Sequence, residues 1–280
     1  MASIEYSLFR VKFVRPSQTS FLHDELTPHR IFLEALNERP SAELRSGFVW
    51  HIGNIDRFTA DTGYFAIGRT TNSTIEKYDA ATGNFTEEEL EQSPYTHCVF
   101  DARIGLLGIA KKSGLTPTTK GIAARAQELF SRTKPVKRNQ IIVEIVPIPD
   151  PEGFLKMLQH AYRVYRFTAT FRGPNPFDAD EYFQKPLAKY LSAAGGEKGK
   201  TEIQGDDLNR DVLEEVTRST AATGNEASAR IIRQRAQKPV TINLKGDPIK
   251  KRYAEHQHDP ELVLADLLEV YERVRHDGRD

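Results

Sequence analysis

Cys98-Val99-Phe100-Asp101-Ala102-Arg103-Ile104-Gly105-Leu106-Leu107-Gly108-Ile109-Ala110 consists of two short apolar runs around a tight turn at Asp101-Ala102-Arg103, and it reads as a β-hairpin. Gly114-Leu115-Thr116-Pro117-Thr118-Thr119 follows. It supplies a turn glycine, a capping threonine and a proline suited to the first helical position. Ile122, Ala126, Leu129 and Phe130 then recur at helical spacing, which predicts a helix from about Pro117 to Arg132 with Glu128 placed to pair with Arg132 at i+4. An antiparallel hairpin feeding a helix places the chain in the α+β class.

Upstream, Phe9 to Val14 alternates as a half-buried strand with Phe9, Val11 and Phe13 on one face, and Thr27-Pro28 opens a short helix whose buried stripe is Ile31, Phe32, Ala35 and Leu36. Phe48 to Ile55 and Tyr64 to Thr70 form strands joined through Asp61-Thr62-Gly63, completing an N-terminal antiparallel sheet. Thr133-Lys134-Pro135-Val136-Lys137-Arg138 reads as a basic linker, so the boundary falls between domains at 1–134 and 139–280. The second domain opens with a β-α-β unit: a β-branched strand from Gln140 to Pro147, a helix with Phe154, Leu155, Leu158 and Tyr162, and an alternating strand from Arg163 to Arg172. Asp178 to Ala194 is a helix with stripe Tyr182, Phe183, Leu187, Tyr190 and Leu191, kinked at Pro186. A strand, a helix and a strand pair follow, and Asp259-Pro260 starts a last helix with Leu264, Leu267, Leu268, Tyr271 and Val274 on one side.

Charge is segregated in a chain of 280 residues with 39 cationic and 39 acidic side chains. Between residues 111 and 138 lie Lys111, Lys112, Lys120, Arg125, Arg132, Lys134, Lys137 and Arg138 against Glu128 alone. Between residues 228 and 252 lie Arg230, Arg233, Arg235, Lys238, Lys245, Lys250, Lys251 and Arg252 against Asp247. The acids gather at Glu76 to Glu91 and Glu202 to Glu215. Such polarised fields face phosphates, anionic membranes or acidic partners, and phosphate contacts made this way carry little sequence information. Arg166 and Arg172, beside Tyr162 and Tyr165, extend the basic surface or simply cover an exposed sheet.

Other signals are weaker. Ala194-Gly195-Gly196-Glu197-Lys198-Gly199-Lys200-Thr201 approximates a phosphate loop, but a helix precedes it and a strand follows, the reverse of what the mechanism needs. Glu202, Asp206, Asp207 and Asp211 offer oxygen ligands for Mg²⁺ and so an alternative as a metal-dependent nuclease or nucleotide-processing toxin, although Asp207-Leu208-Asn209 equally makes a helix start. No motif calls for a cofactor. Cys98 is a single cysteine with apolar flanks and reads as a buried strand position, and His256-Gln257-His258 reads as a solvated turn. No apolar run approaches the roughly 20 residues of a membrane span, and the start at Met1 has no leader character, so a cytoplasmic protein without membrane insertion is expected.

The hairpin and its Pro117-Thr118-Thr119 helix start, from Cys98 through Gly114 to Leu129-Phe130, resemble the RexA proteins of phage exclusion and the related KwaB-like defence proteins. The likeness continues faintly over most of the chain, and its motif is no catalytic signature. It implies a homodimeric DNA-binding component of an anti-phage, abortive-infection system. The polarised surface leaves a third reading open, an interaction protein that binds an acidic partner such as a membrane effector encoded nearby. The expectation is therefore a non-catalytic sensor of phage DNA. Lys111, Lys112, Lys120, Arg125, Arg132, Lys134, Lys137, Arg138, Arg230, Arg233, Arg235, Lys250, Lys251 and Arg252 would converge on one groove.

Overall fold

In a computed structural model, residues 3–14, 27–172, 183–196, 198–244, 246–255 and 258–276 are described. Parts of the Asp178–Ala194 helix, together with Glu197, Lys245 and His256-Gln257, lie outside them. The chain is α+β. Its elements in order are β1 (Ser3–Val14), α1 (Pro28–Asn37), β2 (Ser41–Arg45), β3 (Phe48–Arg57), β4 (Thr62–Asp79), β5 (Asn84–Gln92), β6 (Tyr95–Asp101), β7 (Leu106–Ala110), α2 (Thr119–Ser131), α3 (Lys134–Arg138) and β8 (Ile142–Pro147). They continue with α4 (Glu152–Gln159), β9 (Arg163–Arg172), α5 (Gln184–Ala193), β10 (Lys198–Gln204), α6 (Arg210–Ala222), β11 (Ala227–Ile232), β12 (Val240–Leu244), β13 (Lys250–Ala254) and α7 (Pro260–Arg275). No described helix is long and apolar enough to cross a membrane.

The predicted hairpin is β6–β7, with Cys98 opposite Ile109 and Asp101 opposite Leu106, and Gly105 adopts φ +63° in the turn. Its four-residue reversal needs that left-handed position, which glycine takes without Cβ strain. Thr118 caps α2 by accepting from the Gly121 amide, so the helix begins at Thr119, just after Pro117. α1 and α2 cover one face of the first sheet. Phe13, Phe32, Phe65, Phe100 and Phe130 pack there edge to face or tilted, with ring centroids 5.4–6.4 Å apart.

The first sheet runs β13-β1-β7-β6-β4-β3-β2, with β8 also on β1 and β5 on the far part of β4. β7 takes one edge of β1, while β13 pairs with Ser3–Ser7 and β8 with Phe9–Val14 on the other. The two meet at Leu8, whose N–H donates to the Ile249 carbonyl and whose carbonyl accepts from the Ile148 N–H. A boundary at residues 134–139 therefore does not separate the sheets, because the second half returns two strands to the first. Lys134–Arg138 is not a linker either. It forms α3, with Pro135 in the first turn and Pro135 and Val136 buried.

From Tyr6 onward β1 is buried on both faces. Phe9, Val11 and Phe13 join the α1/α2 core, while Tyr6 and Leu8 join a second core with α4, α6, α7 and the four-stranded sheet β10-β9-β11-β12. α7 lays Val263, Leu264, Leu267, Val270, Tyr271 and Val274 into that second core. Gly108 leaves the room, since a Cβ there would stand 2.5 Å from Leu267 Cδ1. The apolar stripe of this helix is thus consumed within one chain.

β8, α4 and β9 follow the expected order, yet β8 lies in the first sheet and β9 in the second. Pro186 is the third residue of α5. Its missing N–H falls in the first turn, where no intrahelical partner exists, so it forces no kink.

Candidate nucleic-acid interface

Among the described residues, the four-stranded sheet packs one face into the second core. Phe167, Ala169, Phe171, Ala227, Ala229, Ile231, Ile242 and Leu244 point into the core. The period of two turns their neighbours outward. Register sets Gln204, Arg166, Arg230 and Thr241 in one cross-strand row and Glu202, Thr168, Ser228 and Asn243 in the next. Lys200 stands opposite Thr170, and Lys198 opposite Arg172.

Arg166, Thr168, Lys200, Glu202, Ser228, Arg230 and Thr241 line a cavity of about 200 Å³ on this face. Its lining combines short hydroxyl side chains with long cations. Glu202 is the carboxylate of the cavity. Its Oε1 accepts from Gln204 at 2.7 Å and lies 3.6 Å from Arg166 Nε, and its Oε2 lies 3.8 Å from Lys200 Nζ. The Gln204 amide foremost, and then the two cations, hold this carboxyl below its usual range. The Arg230 guanidinium sits 5.7 Å from the centroid of the Tyr165 ring, presenting a cation and an aromatic face together.

Further along β9 the same face leads to a second cavity of about 260 Å³. Thr170 and Lys198 line it with Lys12, Gln127, Glu144, Asn225 and Glu226. Lys12 is 3 % exposed and donates to Asn225 Oδ1 at 3.0 Å. Sequence reading missed Lys12, because a lysine in a buried strand reads as part of its polar side.

The fourteen expected cations do not meet in one groove. Lys111, Lys112, Lys120, Lys250 and Arg252 gather where the β1/β13 edge meets the start of α2, so the two basic segments do converge there. Carboxylates occupy that edge as well: Lys120 pairs with Asp247 at 2.9 Å, and Arg252 and Lys250 with Glu5 at 2.9 and 3.9 Å. On the opposite face Lys251 pairs with Asp266 at 2.9 Å. Arg125 pairs with Glu128 at 2.6 Å, displacing the expected Glu128–Arg132 contact. Arg132, Lys134, Lys137 and Arg138 are exposed near the far end of α2. Arg230 lies on the second sheet, whereas Arg233 and Arg235 follow β11 at its edge.

The acidic alternative also disperses. Glu202 is tied up as described, and Asp207 accepts from the Val164 N–H at 3.0 Å and pairs with Arg210 at 3.2 Å. Asn209 caps α6. Among the described residues no three His, Cys, Asp or Glu side chains are placed to hold a metal ion.

His258, read as solvated, instead packs on Tyr6, with its Nε2 2.7 Å from the hydroxyl and its ring centroid 5.1 Å from that of His97. Cys98 is buried as expected, and burial pushes its thiol up. No family model matches the chain, and no curated protein matches it.

Proposed function

We propose that the protein binds DNA through its phosphate backbone across the outward face of the second sheet. Its role would be the non-catalytic sensing part of an anti-phage system, which the RexA-like resemblance implies. The observation that carries this reading is the convergence of Arg166, Lys200 and Arg230 on one hydroxyl-lined sheet face. Lys198 extends the row and Glu202 opposes it, so the face keeps a net positive charge. Phosphate oxygens replace water around cations that are already half desolvated by the sheet, and the threonine and serine hydroxyls supply further donors. Tyr165 beside Arg230 adds a ring on which an unpaired base stacks.

The test is fluorescence anisotropy with a double-stranded and a single-stranded oligonucleotide over a series of salt concentrations. Arg166→Glu with Arg230→Glu is expected to weaken binding at least about tenfold and to flatten the logarithmic salt slope by roughly two phosphate contacts. Circular dichroism should stay unchanged, because both side chains point away from the core. Unaltered affinity and slope would remove this face from consideration.

A further inference from the structure

We propose that the β4–β5 ribbon is an arm that each of two copies of this chain lays on the basic edge of the other. Every residue of β5 is exposed, and β5 pairs with β4 alone. One face of the ribbon carries Glu76, Glu87, Glu89 and Glu91 behind a tip formed by Tyr78 and Phe85. The two rings touch at 5.2 Å between centroids, and Phe85 is 80 % exposed. Among the described residues none of these four glutamates has an ion pair, while Lys77 and Glu88 meet on the opposite face.

A two-stranded ribbon is marginal in water, and Glu76 stands directly opposite Glu87, which costs further stability. A surface that supplies cations and covers the aromatic tip reverses both costs. This chain has such a surface at the same end of the first sheet. β4 parts from β6 just after Gly68, opposite Tyr95, and from β3 after Thr70, and Arg69 donates to the Gly114 carbonyl at 3.1 Å. Lys111 and Lys112, exposed at the end of β7, therefore stand beside the root of the arm. With arm and patch at one end, a two-fold axis there makes the exchange reciprocal and closed. Nucleic acid is excluded as the occupant of the arm, because its phosphates repel the glutamate row. The proposal is independent of the DNA reading, which uses the other sheet.

Sedimentation velocity tests it. The wild-type chain is expected to be dimeric at low salt and to dissociate as salt rises. Glu87→Lys with Glu89→Lys, and separately Lys111→Glu with Lys112→Glu, should each yield monomers with unchanged circular dichroism, since all four side chains are exposed. Mixing the two variants should restore a dimer, because each then offers the charge the other lacks. A monomeric wild type at low salt, variants that remain dimeric, or a mixture that stays monomeric would each overturn the arm exchange.

Discussion

The imidazoles of His97 and His258 join β6 to the segment entering α7, with Tyr6 and Tyr64 holding one nitrogen of each at 2.7 and 3.1 Å. Burial lowers the pKa of His97 most, with His258 and Lys112 adding to it. Burial also lowers that of His258, against an upward pull from Asp259. The unfolded chain, with ordinary imidazoles near about 6.5, takes up protons before the folded chain does. This pair's contribution to stability is therefore complete above that pH and is lost as pH falls through it toward the depressed folded values. Denaturant unfolding should show stability declining from pH 7 to pH 5, and His97→Gln should make the decline shallower. Parallel declines would mean that the pair does not titrate with unfolding. Nothing local in the sequence marks these two residues, which stand 161 positions apart. Arg10 was equally hidden: it is fully buried, and its Nη1 donates to the Tyr271 hydroxyl at 2.8 Å.

At the scale of elements, capping and periodicity were legible wherever one face of an element meets the core. α1 and α7 start at their predicted caps, and the stripes of α1, α2 and α7 are buried as their spacing required, except that Leu268 of α7 is half-buried. The Asp259 side chain accepts from the Glu261 N–H at 2.9 Å. Asp259→Ala is expected to cost about 0.5–2 kcal/mol in equilibrium unfolding, a value set by an end whose amides have no other partner. A change below that range would show that Pro260 alone positions the helix start. The elements that escaped reading are those without a one-sided pattern. β1 is buried without a break from Tyr6 to Val14, α3 has five residues, and β5 is exposed throughout. The acid run at Glu76 to Glu91 reads as solvated charge, and only its pairing register shows a ribbon.

For the whole molecule, the shared second core makes the halves interdependent. Tyr6, Leu8, Val99 and Leu106 from the first half pack in one cluster with Val164, Leu213, Ile231, Leu264 and Tyr271 from the second. A fragment ending at Arg138 would expose that surface and leave the β8/β13 edge of β1 unpaired. Each large apolar side chain so exposed forfeits about 1.5–3 kcal/mol. The fragment is expected to aggregate or to bind a hydrophobic dye, and the intact chain to unfold in a single transition. A soluble, cooperatively folded fragment would contradict the shared core.

Hairpin chemistry, helix caps, the α+β class and the segregation of charge follow from local composition and period, because turns, caps and amphipathic faces are set by residues a few positions apart. Which cations share a face, that Glu202 sits among them, that β1 accepts two strands on one edge and that His97 meets His258 all depend on register between distant strands. Register arises when two cores close on opposite faces of one sheet, and the energy that selects it is spread over contacts between residues far apart in the chain.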